Sequence, residues 1–326
     1  MSMIIQTKVV IPDPPSRIGY HTRGMFMGSC FSDYIGTIMA GYKFPLLLNP
    51  FGTLFNPASI AANLENLINL RVYKSADLRF HDGLWLSFDH YTGFSDTDQE
   101  RCLDQINTSV SQASEWLKHC DFLVLTFGTA WIFKYKKTGK TVANCHKIPQ
   151  AEFSREFMQP AEIVNMFDRL LSLLSEFNPG LRVIFTLSPV RHWSDGAVNN
   201  QLSKSVLHYS IQEILKQHGN AWYFPSYEIF MDELRDYRYY AADMLHPSDQ
   251  GAVYVWEKFF ESTIDDKSKA ILAELEPVLQ AARHRPVNAG SDAHRKFRDK
   301  ISGKIHEITT KYPFLDFSNE IELFSK

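Results

Sequence analysis

Short apolar runs alternate along this chain with longer stretches of helical period, the pattern of a parallel sheet covered by helices on both faces. Met25 to Gly28 is the first predicted strand, followed by a helix from about Asp33 to Gly41. Tyr42 to Asn49, YKFPLLLN, reads as a second strand, and Pro45 puts it at a sheet edge or shortens it. Asn56-Pro57 then opens a helix to about Leu70. DFLVLTFG (Asp121 to Gly128) and LRVIFTLS (Leu181 to Ser188) are near-continuous apolar runs, as strands buried on both faces must be. An amphipathic helix precedes each, Gln99 to Lys118 and Pro160 to Glu176, and AWYFPS (Ala221 to Ser226) is the last and shortest strand. WLSFDHYTGFS and WIFKYKKTGKTV alternate apolar and polar positions around glycine, so each predicts an inserted β-hairpin. Five strands joined by helical crossovers make an α/β fold with a doubly wound, mainly parallel sheet, whose ligand crevice lies beyond the carboxyl ends of its strands. The residues to read for chemistry are therefore Ser29, Gly52, Gly128-Thr129, Ser188 and the loop that reaches DMLHPSD.

After Phe260 the pattern changes. Ile271, Leu272, Leu275, Val278 and Leu279 mark a helix bent at Pro277, RPVNAG breaks the chain, and Ser291 caps a second helix with Phe297, Ile301, Ile305 and Ile308 on one face. The expected division is a main domain over residues 20–263 and a helical extension over 264–326 packed on it through that stripe. A homodimer contact is the competing use of the same face.

Composition narrows the partners. The 326 residues are 44% apolar, ample for a core, and the formal charge of −3 gives no reason to expect nucleic acid or an anionic membrane. Cys30, Cys102, Cys120 and Cys145 are too few and too scattered for a disulfide framework and include no CxxC pair, so they read as reduced thiols. The N-terminal apolar run is broken by Lys8 and then by prolines, and no stretch approaches the roughly 20 apolar residues that span a bilayer. The expected location is the cytoplasm. The strand exits show neither G-x-G-x-x-G nor a P-loop, and no cofactor or metal is expected.

Ser29 stands in MGSCFSD where the first strand ends. A Gly-Ser pair there serves equally as a turn or as the mount of a nucleophile. In DMLHPSDQGA, Asp243 precedes His246 by three residues, close enough to accept the Nδ1 proton and leave Nε2 to work on a serine. The same segment also suits a helix start, with Ser248 as its cap. Together the three residues run in the order Ser, Asp, His.

GSCF after the first strand, NPFGTLFNP after the second, LTFGTAWIF at the third, VANCHK behind it, LSPVRHWSDG at the fourth and DMLHPSDQG before a terminal helix together resemble the GSCFA family, placed among the SGNH/GDSL-like hydrolases. The resemblance covers roughly residues 20–315. It implies a three-layer α/β/α sandwich of SGNH/flavodoxin-like type, with Ser29 as nucleophile, His246 as general base and Asp243 as its orienting partner. It further implies an oxyanion site made of the backbone N–H groups of Ser29 and Gly52. Superfamily relatives add an Asn side chain just after the third strand's glycine, where this chain has Thr129. The Thr129 hydroxyl and the Asn144 amide are both open as the substitute donor. The implied activity is a serine esterase acting on an O-acyl ester, by analogy an acetyl group on a carbohydrate. The alternatives are a carbohydrate O-acyltransferase using the same residues and a non-catalytic carbohydrate-binding or scaffold protein, which Thr129 in place of Asn favours.

The remaining candidates have plainer uses. Cys30 is expected to be buried, pointing away from Ser29. His146, beside Cys145, is expected to pack or hydrogen-bond rather than hold a metal. His90, Arg191 and His192 lie on loops within reach of the crevice and, with His146, are the candidate substrate contacts. Lys204 is expected to solvate a helix face.

Overall fold

The computed structural model describes residues 6–284 and 291–325. In chain order, β1 (Gly24–Gly28) leads into α1 (Cys30–Gly41), β2 (Leu46–Leu48) and α2 (Pro57–Ile68). The hairpin β3 (Arg79–His81) and β4 (Leu84–Leu86) follows, then α3 (Gln99–Lys118) and β5 (Phe122–Phe127). An insertion of β6 (Trp131–Tyr135), β7 (Thr141–Val142) and β8 (Phe153–Phe157) precedes α4 (Pro160–Phe177), β9 (Arg182–Leu187), α5 (Gly196–Gln217) and β10 (Ala221–Phe224). One short turn, α6 (Ser226–Glu228), then leads to α7 (Asp249–Thr263), α8 (Asp266–Arg283), α9 (Asp292–Lys311) and α10 (Ser318–Ser325).

The central sheet is parallel throughout, in the order β10–β9–β5–β1–β2, the doubly wound arrangement the sequence predicts. Because strand side chains alternate, Met25, Met27, Leu123, Leu125, Val183 and Phe185 pack on one face beneath α2, α3, α4 and α5. Phe26, Phe122, Val124, Ile184 and Phe224 pack on the other, beneath α1, α7 and α8. The register aligns Gly28 with Thr126 and Thr126 with Thr186, so the strand exits stand level along one edge. That edge is where a ligand crevice belongs.

Several boundaries differ from expectation for local reasons. α1 begins at Cys30, three residues early, because Ser29 already adopts the extended backbone of an N-cap. β2 is three residues long and sits at the sheet edge, directly after Pro45. The first hairpin begins upstream of WLSFDHYTGFS and reaches only its Trp85-Leu86, turning at Asp82-Gly83 where both residues have positive φ, the turn that Asp-Gly favours. The second insertion is a three-stranded sheet, since β8 pairs with β6 on the side away from β7.

Beyond α7, the helices share the core that α1 and α7 cover. Ile301, Ile305 and Ile308 are buried there, with Phe297 packed at the margin. Ser291 caps α9 by accepting from His294 N at 3.1 Å, as expected, and Lys43 pairs with Glu320 at 2.7 Å in a largely enclosed position. The break expected at RPVNAG lies outside the described residues. No helix among the described residues is long and apolar enough to cross a membrane.

Candidate active site

The sheet delivers Ser29 through a turn that only glycine permits. Gly28 has φ +147°, and a Cβ there would run into the backbone of Thr126. Asn49 clasps the turn: its Oδ1 accepts from Gly28 N at 2.8 Å, and its Nδ2 donates to Asp33 Oδ1 at 2.6 Å. Ser29 occupies the N-cap of α1, where a hydroxyl ordinarily accepts a free helix N–H. Here it makes no such bond, and Ser32 N donates to the Ser29 carbonyl instead, at 2.8 Å. Ser29 is only 3% exposed, and its Oγ has no hydrogen-bond partner among the described residues. Leaving a buried hydroxyl unpaired costs about 1–3 kcal/mol, a cost associated with functional positions.

Asp243 and His246 close on each other within one turn. Met244 takes the left-handed conformation, φ +59°, which lets Asp243 Oδ1 accept from both Leu245 N and His246 N at 2.9 Å. The other oxygen, Oδ2, accepts from His246 Nδ1 at 2.6 Å. These backbone donors, more than the imidazole, hold the Asp243 carboxyl at about 2, so it is ionised at neutral pH. With Nδ1 occupied, Nε2 is the free nitrogen of a half-exposed ring. Cys30, next to Ser29, and His246 line one cavity of about 110 Å³ with Phe31, Tyr34, Val190 and Ala252. The structure thus closes the Asp243–His246 pair and leaves the Ser29–His246 contact open.

The expected oxyanion donors are differently engaged. Ser29 N donates to Thr126 O at a long 3.3 Å, while Gly52 N closes a turn on Asn49 O at 2.7 Å. Thr129 is buried; its Oγ1 accepts from Trp131 N at 3.1 Å and lies 3.3 Å from Ser203 Oγ. Asn144 bonds Thr92 Oγ1 through Nδ2 and accepts from His146 N through Oδ1. Each therefore has a structural bond that holds its own loop.

The remaining candidates divide. His90 is enclosed rather than facing the crevice: Phe51, Tyr73 and Phe94 surround its ring, and Ser87 Oγ is 2.9 Å from Nδ1. Burial first, then Arg71 and His146, lower its pKa to about 3. His146 is also buried and donates through Nε2 to Ser87 O at 2.7 Å, the bonding role expected of it. Cys30 is exposed, contrary to expectation, because α1 starts with it at the solvent side of the turn. Desolvation and then Asp33 raise its pKa, keeping it a thiol. Arg191 and His192 are half-buried on the loop after β9.

Lys204 overturns its expected role most completely. It is 1% exposed, and its Nζ donates to Gly128 O and Ser188 O, each at 2.7 Å. The ammonium ties together the exits of β5 and β9. Burial, and secondarily the charge of Arg191, lower its pKa to about 7. A signal was present in the sequence: Asn200, Lys204, Leu207, Ile211 and Ile214 form one stripe of α5, all of it buried.

A separate cavity of about 640 Å³ runs along α2. The arginines that line it are already paired, Arg71 with Asp77 and Asp89, Arg79 with Glu152, and Arg169 with Glu65. Among the described residues no group of three His, Cys, Asp or Glu side chains is placed to hold a metal.

Among solved structures, the chain is similar to an acetyl esterase mutant with an acetate ion, at 11% identity and TM-score 0.37, covering 78% of this chain and 99% of that one. It is also similar to the Clostridium thermocellum family 3 carbohydrate esterase, at 10% identity and TM-score 0.35, covering 80% and 98%. A carbohydrate esterase family 3 structure from Talaromyces cellulolyticus gives 10% identity and TM-score 0.34, covering 80% and 99%. No curated protein sequence matches it. Residues 23–259 match the GSCFA family and residues 275–326 match the GSCFA domain protein, C-terminal domain, so the chain belongs to the GSCFA family.

Proposed function

We propose that this chain is a serine esterase that cleaves an O-acyl ester, an acetyl group carried on a carbohydrate, through an acyl-enzyme on Ser29. The observation that carries the reading is the closed Asp243–His246 pair, with Nε2 free, at the edge where a buried Ser29 hydroxyl is withheld from helix capping. The carbohydrate half rests on analogy with the hydrolase superfamily that the motifs resemble.

The reaction follows from these groups. As the Ser29 Oγ bonds to the ester carbonyl carbon, its proton passes to His246 Nε2, and Asp243 stabilises the imidazolium that forms. Collapse of the tetrahedral adduct breaks the bond to the alcohol oxygen, which takes that proton from His246 and leaves. Water then bonds to the acyl carbon and gives a proton to His246; collapse breaks the bond to Ser29 Oγ, which takes that proton back as the carboxylic acid leaves. A sugar hydroxyl in place of water turns the same steps into acyl transfer. The cavity beside His246, at about 110 Å³, has room for a short acyl chain. Because His246 is half-exposed, its ring has freedom to move toward Ser29 when substrate enters, as catalytic hydrogen bonds commonly tighten only then.

The open Ser29–His246 contact also favours one rival, a carbohydrate-binding protein on the same fold. Fluorophosphonate labelling mapped by mass spectrometry, alongside hydrolysis of 4-nitrophenyl acetate, separates the two. The esterase labels at Ser29 and loses both labelling and turnover in Ser29→Ala, while Cys30→Ser keeps both within about tenfold. Wild-type protein that neither labels nor turns over the ester or a panel of acetylated sugars is the binding protein.

A further inference from the structure

Gly52 N closes a turn and Thr129 and Asn144 each hold a loop neighbour, which leaves open what donates to the negative charge that develops on the ester oxygen. We propose that His192 is that donor, presenting Nε2 over Gly128 from the loop after β9. The proposal rests on the esterase reading and adds a catalytic residue to it.

The placement comes from backbone contacts that run along the sheet edge from Ser29. Gly28 O accepts from Leu54 N at 2.8 Å, and the next residue, Phe55, accepts through its carbonyl from Gly128 N and Thr129 N, each at 2.8 Å. The segment after β2 is thereby pinned between the nucleophile turn and the exit of β5. His192 lies over that junction. Its Nε2 is 3.4 Å from where a Gly128 Cβ would stand, and its ring meets Phe55 edge-on with centroids 5.8 Å apart. Gly128 is the residue before Thr129, the position at which superfamily relatives are expected to carry a donor side chain. A side chain at Gly128 would run into the Phe55 carbonyl at 2.9 Å, and His192 Nε2 stands at ordinary contact distance just beyond.

The backbone that carries the ring is held in place, as the mount of a preorganised donor must be. Asn200 Oδ1 accepts from His192 N at 3.0 Å, and Asn200 itself is buried in α5. One turn further along α5, Lys204 holds the Gly128 carbonyl from below, so α5 positions both the donor and the surface beneath it. The charged groups facing the imidazole are Lys204 from α5, Asp195 on its own loop, Arg155 from β8 and His246 from the loop before α7. Burial, followed by the Lys204 ammonium, lowers the His192 pKa to about 4, so it meets substrate as a neutral imidazole. A neutral ring donates one hydrogen bond and gives up no proton in doing so, which distinguishes its role from the proton transfers assigned to His246. Val190, two residues before His192, lines the cavity beside His246, so the loop after β9 reaches the same sheet edge as the His246 loop.

The test uses the full chain, 4-nitrophenyl acetate, and the pair His192→Phe and His192→Gln, with melting temperature as a check on folding. His192→Phe keeps a flat ring without a donor and is expected to lower kcat by ~10²–10³ with KM within about threefold. His192→Gln retains an amide N–H and is expected to recover at least ~10-fold over the Phe variant. A purely structural role moves both variants together. Folded His192→Phe within threefold of wild-type kcat, or His192→Gln no better than the Phe variant, overturns the assignment while Ser29→Ala still reports on the esterase reading. Wild-type protein without turnover overturns both.

Discussion

His246 and His192 lie on loops that reach the same edge of the sheet, and the chain holds them there by opposite means. His246 is half-exposed and closed onto Asp243, three residues away, by a turn whose backbone supplies two more hydrogen bonds. His192 is half-buried, and the groups that place it come from the segment after β2, the exit of β5 and the face of α5. The difference suits the two tasks assigned above. A proton carrier must meet the nucleophile, the leaving alcohol and water in turn, so it gains from mobility. A donor to a developing charge works only if it is already in place, so it gains from a rigid mount.

Substitutions on the two sides should therefore fail differently. Asp243→Asn is expected to have the largest effect on activity, lowering kcat by ~10⁴ because the imidazole loses the partner that fixes its tautomer. Its melting temperature should stay within about 2 °C of wild type, since an exposed pair adds little stability. Lys204→Met reverses the weighting. It strands two buried carbonyls, at about 1–3 kcal/mol each, and should lower the melting temperature by roughly 5 °C or more while kcat falls by ~10². Melting the two variants side by side checks the comparison: if Asp243→Asn is the less stable one, the assignment of a mobile and a rigid side is wrong. Asn49→Ala is milder. It frees the Gly28 N–H and loosens the nucleophile turn without removing a reacting group, and kcat is expected to fall ~10-fold.

What could be read from the sequence follows the same division. Asp243 with His246 was legible because the pair closes inside one turn, and Ser29 because a strand ends in a glycine that nothing larger can replace. The parallel sheet and the order of its crossovers were legible from runs such as DFLVLTFG. For Lys204 the stripe of α5 signalled burial, but its role did not show, because its two acceptors lie 76 and 16 residues away. His192 could be placed near the crevice, but its seat over Gly128 depends on Phe55, which belongs to a different crossover. For Thr129 and Asn144 the sequence shows a polar group and never its structural partner. Ser203 and Thr92 are those partners.

His90 sets the lower limit of the comparison, as a third histidine that sequence places on a loop and the fold removes from the crevice. Its ring is surrounded by Phe51, Tyr73 and Phe94, and Nε2 has no hydrogen-bond partner among the described residues. Burial is the main reason its pKa falls from 6.5 to about 3, so the folded protein keeps it neutral where the unfolded chain would bind a proton. Stability from this group is therefore fully present above about pH 6.5 and is lost progressively as pH falls toward 3. His192, lowered to about 4, adds a loss of the same sign over a narrower range. His90→Phe substitutes one flat ring for another in an aromatic cage and removes the titration. Its kcat/KM should stay within about threefold of wild type, and its melting temperature at pH 7.5 within about 2 °C. Between pH 6.5 and pH 4 the melting temperature of wild type should fall more steeply than that of His90→Phe. Equal slopes would mean that His90 titrates normally in the folded protein, and a large loss of kcat/KM would return it to the crevice as a substrate contact.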